Sequence, residues 1–252
     1  MTEKLYSAPA LDKGLDILEL LSTERLGLSM SDIAKALGRT RNEIYRMVLA
    51  LEQRGYVARK GDTDLFMVTN RLFELGMRNP PMADLHAAAL PLMYDLSDQL
   101  LQSSQLAVAS RDQIVVVARV ESPGDIGFSV RLGHHRSIVQ SASGVVLYAF
   151  SDTDHRNRLL KDVDIDADKA AFDRFQTRAT EAESRGFVQI PSRIVEGVID
   201  IAAPIFGDNL SAPVASLTVP FVNSLRTRVP LSDAPALIAD MAERISAKLQ
   251  HH

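Results

Sequence analysis

"GRTRNEIYRMVLALEQRGYV", Gly38 to Val57, changes character along its length. Its first residues bring two arginines, a threonine and an asparagine, and a regular apolar stripe follows. Thr40 and Glu43 have the spacing of a capping box, in which the threonine hydroxyl takes the third backbone N–H and the glutamate reaches back to the cap. The spacing predicts a helix starting there, with Ile44, Met47, Val48 and Leu51 facing inward and Arg41, Asn42, Tyr45 and Arg46 outward. Gly55 closes it.

Upstream, Leu11, Leu15, Leu18 and Leu21 recur at helical spacing and predict a helix to about Ser22. Ser29 ahead of Asp32 reads as the N-cap of a second, short helix that buries Ile33, Ala34 and Leu37 and stops at Gly38. Downstream, "YVARK" and "LFMVT" are extended segments joined by the hairpin-type turn "GDTD". Three helices followed by a β-hairpin make a winged helix-turn-helix.

An exposed first turn that offers guanidinium forks, a hydroxyl, an amide and free backbone N–H groups suits the base edges and phosphates of double-stranded DNA. Residues 39 to 60 hold six Arg/Lys against two Glu, inside a chain whose net charge is −4. The candidate DNA contacts are Arg39, Thr40, Arg41, Asn42, Tyr45 and Arg46 on the helix, with Arg59 and Lys60 on the wing. Glu43 has two readings, cap or acceptor from a cytosine amino group, and its spacing favours the cap.

At 252 residues and 46% hydrophobic composition, the chain has material for two domains. It has no cysteine and no tryptophan, which excludes disulfides, thiolate metal sites and cysteine nucleophiles. The N-terminus lacks a signal-peptide core and no apolar run reaches the roughly 18 residues of a membrane span, so the protein is expected in the cytoplasm without a membrane partner. Thr69 to Met77 reads as a short helix stopped by Asn79, Pro80 and Pro81. A longer one runs from about Met82 through Leu100, with Pro91 inside it. Beyond it "SQLAVAS", "QIVVVARVES" and "DIGFSVRLG" read as strands, Ser141 to Phe150 as a helix, 153 to 186 as charged helix, and "VIDIAAPIF" and "PVASLTVPF" as further strands. Ser232 is expected to cap a last helix ending near Leu249. The fold class is α+β with an antiparallel sheet. The expected division is 1–69 winged helix-turn-helix, 70–100 linker helices and 101–252 a second, sheet-containing domain.

"ALDKGLDILELLS", "SMSDIAKALGRTRNEIYRMVLALEQRGYV" and "RLFELG" resemble the DNA-binding domain and linker of the IclR-type bacterial transcriptional regulators. "VRLGHHRSIVQSASGVVLYAF", "SRGFVQIPSRIVEGVIDIAAPIF" and "APVASLTV" resemble the effector-binding domain of the same family, so the likeness covers nearly the whole chain in order. It implies a linker helix that dimerises and a GAF-like C-terminal domain that binds a small metabolite and commonly mediates tetramers. The implied function is a ligand-responsive repressor or activator that reads a pseudopalindromic operator as a homodimer or homotetramer. Where family members often begin the recognition helix with a Pro-Lys-Ser-Thr type run, this chain has Thr40, Arg41, Asn42 and Glu43.

Strand alternation in "GVIDIAAP" puts Val198, Asp200, Ala202 and Pro204 on one face. The resemblance implies that the Asp200 face looks into the effector cavity, near Ala142, Ser143 and Thr218, with Phe128 and Arg136 in the cavity wall. A buried acid repels a carboxylate ligand unless it is protonated or paired. Asp200 neutralised by Arg136 would suit a hydroxylated ligand such as a hydroxyacid, many family effectors being small or aromatic carboxylates; a free Asp200 would suit a polyol or amine, and a structural ion pair without ligand contact is the other reading. His134 and His135 are adjacent and point apart on an extended strand, so no metal is expected there. The aspartates of "DVDIDADKAAFD" lack the glycine and glutamate of a calcium loop and read as a helix start. Ser141 and Ser143 have no histidine and acid arrangement in reach. No catalytic residue, metal or cofactor is therefore expected. The alternative is a GAF-like small-molecule-binding or enzymatic protein whose N-terminal domain mediates protein contacts.

Overall fold

The structure is a computed structural model and describes residues 8–124, 127–223 and 227–250. Its contacts divide the chain into two compact units between Ala83 and Asp84.

The first unit begins with helix α1 (Pro9–Thr23), followed by α2 (Met30–Ala36) and α3 (Arg41–Gln53). Ser29 caps α2 by accepting from the backbone N–H of Asp32 at 3.2 Å. Gly38, at φ +62, takes the left-handed conformation that lets the chain turn from α2 into α3 within a few residues. Ile17 and Leu21 of α1, Ile33 of α2 and Ile44 and Val48 of α3 are fully buried together. The wing is β2 (Val57–Arg59) against β3 (Leu65–Val68), and a two-residue strand that the sequence pattern does not reveal, β1 (Leu28–Ser29), pairs with the far edge of β3. Helix α4 (Arg71–Met77) buries none of its residues.

Helix α5 (Pro80–Leu100) tolerates Pro91 and buries Leu85, Leu92, Met93, Leu96 and Leu100. The six-stranded antiparallel sheet of the second unit runs in the order β6-β5-β4-β9-β8-β7. Its strands are β4 (Ser104–Ser110), β5 (Gln113–Val120), β6 (His135–Ser137), β7 (Val188–Pro191), β8 (Val198–Ile205) and β9 (Ala215–Val222). The hydroxyls of Ser97 in α5 and Ser104 in β4 meet at 3.1 Å, both buried. Helices α6 (Ala142–Ala149) and α8 (Lys169–Arg185) pack Val146 and Phe175 against Ala202 of β8. Ala203, next in the strand and so on the other face, lies beside Ala236 and Ala239 of α9 (Ala234–Leu249). Helix α7 (Thr153–Leu160) starts on Asp152, whose carboxylate accepts from His155 N at 2.8 Å. Asp168 likewise caps α8, accepting from Ala171 N at 2.9 Å.

Three points of the sequence reading are corrected. The described part of "DIGFSVRLG", residues 127–133, forms no strand; β5 pairs instead with His135 to Ser137, and Phe128 and Val130 line a cavity. The edge strand β7 forms at residues to which that reading assigns no element. Ser232 does not cap α9: Asp233 holds the cap position without a side-chain bond to the helix, and the Ser232 hydroxyl donates to its carboxylate at 2.8 Å.

Candidate functional site

The start of α3 carries the capping box in full. The Thr40 hydroxyl accepts from Glu43 N at 3.4 Å, and Glu43 Oε2 accepts from Thr40 N at 2.9 Å. The other glutamate oxygen meets Lys13 Nζ at 3.2 Å. These donors, the Thr40 amide and hydroxyl first, hold the Glu43 carboxyl well below its ordinary 4.5, at about 2. Three of the carboxylate's roughly four acceptor sites are thereby occupied.

Arg41, Asn42, Tyr45 and Arg46 are all exposed on the outer side of α3. Neither Arg41 nor Arg46 has an ion-pair partner among the described residues, and the same holds for Lys60 on the wing. The remaining candidates differ. Arg39 turns back toward α1, with Nη2 3.3 Å from Asp16 Oδ2. Arg59 is held between Glu52 at 3.3 Å and Asp64 at 3.5 Å, with its guanidinium over the Phe66 ring. Thr40 spends its hydroxyl on the cap.

The second unit has a cavity over the sheet that leaves about 40 Å³ of room for water centres, enough for a few waters. Phe128, Arg136, Ala142, Ser143, Asp200 and Thr218 all line it. Val198 does not: it sits buried at the start of β8, beside the loop 191–197, two residues beyond the cavity's reach. Sequence reasoning missed Gln105, His134 and Arg193, which also line the cavity. Gln105 was legible only through register, since β4 sets it opposite Thr218. His134, read as a loop residue, is exposed yet borders the cavity, and burial beside the Arg136 charge lowers its pKa.

Behind the cavity runs a row of three hydroxyls. Thr218 Oγ1 lies 2.9 Å from Ser143 Oγ and 3.0 Å from Ser216 Oγ, and all three residues are buried. Gly144, next to Ser143 in α6, packs so closely on the Ile138 carbonyl that a Cβ there would collide with it. Burial pushes the Asp200 carboxyl above its ordinary 3.8, against a hydrogen bond from Ser192 and the Arg136 charge. Burial and then the neighbouring Arg193 charge depress Arg136, which Asp200 counters. Arg136 and Asp200 form no direct ion pair. A polar wall with both charge signs around a gap is suited to binding.

Two family models match this chain: the IclR helix-turn-helix domain over residues 10–61, and the C-terminal part of the bacterial transcriptional regulator IclR over residues 81–247. The chain belongs to the IclR family. It is thereby a DNA-binding, effector-responsive transcription regulator. This IclR-family regulator is 27% identical over 248 residues to the HTH-type transcriptional regulator KdgR of Escherichia coli K12, spanning 95% of this chain and 92% of that one. It is 26% identical over 218 residues to the glycerol operon regulatory protein of Streptomyces coelicolor, with 83% of each covered. An IclR homologue from Microbacterium hydrocarbonoxydans, solved in complex with 4-hydroxybenzoate, shares the fold with a TM-score of 0.79 at 21% identity, covering 96% of this chain and 100% of that chain. No helix among the described residues is long and apolar enough to cross a membrane.

Proposed function

We propose that α3 is the recognition helix of this regulator and enters the major groove, with Arg41, Asn42, Tyr45 and Arg46 contacting bases and phosphates. The observation that carries this reading is the capped helix start that leaves these four side chains exposed and its two arginines unpaired. Lys60 adds a phosphate contact from the wing, while Arg39 and Arg59, tied to acids, act by fixing α3 and the hairpin. The protein works as a homodimer or homotetramer whose paired heads read a pseudopalindrome, as symmetry requires. The unburied helix α4, with Phe73 at 70% exposure beside Leu72 and Leu75, supplies an apolar surface for that pairing. Operator binding places the protein's work in the cytoplasm.

The cavity of the second unit is the effector site, and its ligand is a small hydroxylated acid. Arg136 and Asp200 facing one another without contact support this, since the arginine answers a carboxylate and the acid answers a hydroxyl. The lining supports recognition and release, not turnover. The test is a selection of bound duplexes from a random pool, followed by retardation of the selected duplex with and without candidate acids. An enriched inverted repeat whose binding shifts with an acid supports the whole reading. Failure to enrich any sequence overturns the recognition-helix assignment.

A further inference from the structure

Gln105 faces the cavity from β4, opposite Thr218 across the sheet. Its Oε1 is buried and receives no hydrogen bond among the described residues. Buried acceptors nearly always have a partner, because desolvation is otherwise uncompensated. Thr218, its cross-strand neighbour, makes no bond to it and lies instead within hydrogen-bond distance of Ser143 and Ser216. A donor brought into the cavity would satisfy it.

At the mouth, Arg193 is exposed on the loop that follows β7 and lines the same cavity as the half-buried Arg136. Neither has an ion-pair partner among the described residues. Two facing guanidiniums repel one another, and an anion between them relieves both. Between mouth and floor the wall is apolar, formed by Ile114, Val116 and Ile190.

Resting on the reading of this cavity as the effector site, we propose that the effector is a hydroxy acid bound end-on. Its carboxylate sits between Arg136 and Arg193 at the mouth, and one of its hydroxyls donates to Gln105 at the floor. Gln105 thus selects for the hydroxyl, and Arg193 selects for the acid.

The test is calorimetric titration of the full-length protein with three six-carbon probes: gluconate, hexanoate, which lacks the hydroxyls, and sorbitol, which lacks the acid. Gluconate is expected to bind at least about tenfold tighter than either. Gln105→Leu should narrow the gluconate–hexanoate gap about tenfold, and should also raise the melting temperature of the unliganded protein, because it removes an unpaired buried acceptor. Arg193→Gln, at an exposed position that leaves folding intact, should narrow the gluconate–sorbitol gap. Equal binding of all three probes, or no binding of gluconate, overturns the proposal. If Asp200→Asn weakens gluconate binding while both Gln105→Leu and Arg193→Gln leave the ratios unchanged, the cavity is the effector site and the end-on orientation is wrong. If none of the three substitutions alters gluconate binding, the ligand lies elsewhere and the cavity reading falls with it.

Discussion

Thr40 and Glu43 satisfy one another: the Glu43 carboxylate accepts the Thr40 amide and hydroxyl, at 2.9 and 2.8 Å, while the Thr40 oxygen accepts the Glu43 amide. The residue that would repel DNA phosphates is thereby turned into the peg that fixes where the recognition helix starts.

The Glu43 carboxyl titrates at about 2 in the fold against an ordinary 4.5. A depressed acid stabilises above its unfolded value, so this contribution is complete above about 4.5 and is lost as pH falls through about 2. In Glu43→Gln that loss should vanish from the acid-unfolding curve followed by circular dichroism. The selected operator sequence should be the same as for the wild type, because the carboxylate reads no base; a changed base preference would show that it does.

Arg41→Ala combined with Arg46→Ala should abolish retardation of the selected duplex while leaving oligomeric state and far-UV spectrum unchanged. On nonspecific duplex DNA the logarithmic salt dependence should flatten by about one for each lost phosphate contact per protomer. Arg39→Ala should act differently, through the lost Asp16 tether, weakening affinity without removing a full unit of that slope.

The Asp200 carboxyl is raised by burial, so the folded protein keeps this proton where the unfolded chain has released it. Its contribution to stability is complete below 3.8 and is lost as pH rises through the raised folded value. Asp200→Asn should remove that decline, giving a flatter melting temperature against pH for the second unit. It should change effector dose dependence and leave operator affinity without effector unaltered.

Gly144→Ala should destabilise the second unit by roughly 3 kcal/mol in urea unfolding, since the new methyl meets a backbone oxygen that cannot swing aside. Gly55→Ala meets nothing within 4 Å and carries only the smaller cost of its positive φ.

Much of this was legible in the sequence because it is local. Thr40 and Glu43 are three residues apart, and their spacing alone names the helix start. The two-residue period of a strand puts Asp200 on one face with Ala202, and the likeness to the IclR family implies that this face looks into the cavity. What was not legible depends on partners far along the chain. Arg39 sits one residue before an excellent cap and reads as a groove contact, but Asp16, twenty-three positions earlier, claims it. Gln105 is an ordinary polar residue in "SQLAVAS" until β9 sets Thr218 beside it. Val198 shares a face with Asp200, yet alternation says nothing about where along a strand a cavity ends. Residues 127–133 have a strand's composition, and only the pairing of β5 with β6 shows that the chain uses them as a wall instead.

Strand β4 begins a few residues after α5, and its first two side chains point opposite ways: Ser104 bonds to Ser97 of that helix, and Gln105 meets the cavity. One peptide unit therefore joins the cavity wall to α5, and any guest that displaced Gln105 would load the Ser97–Ser104 bond with it.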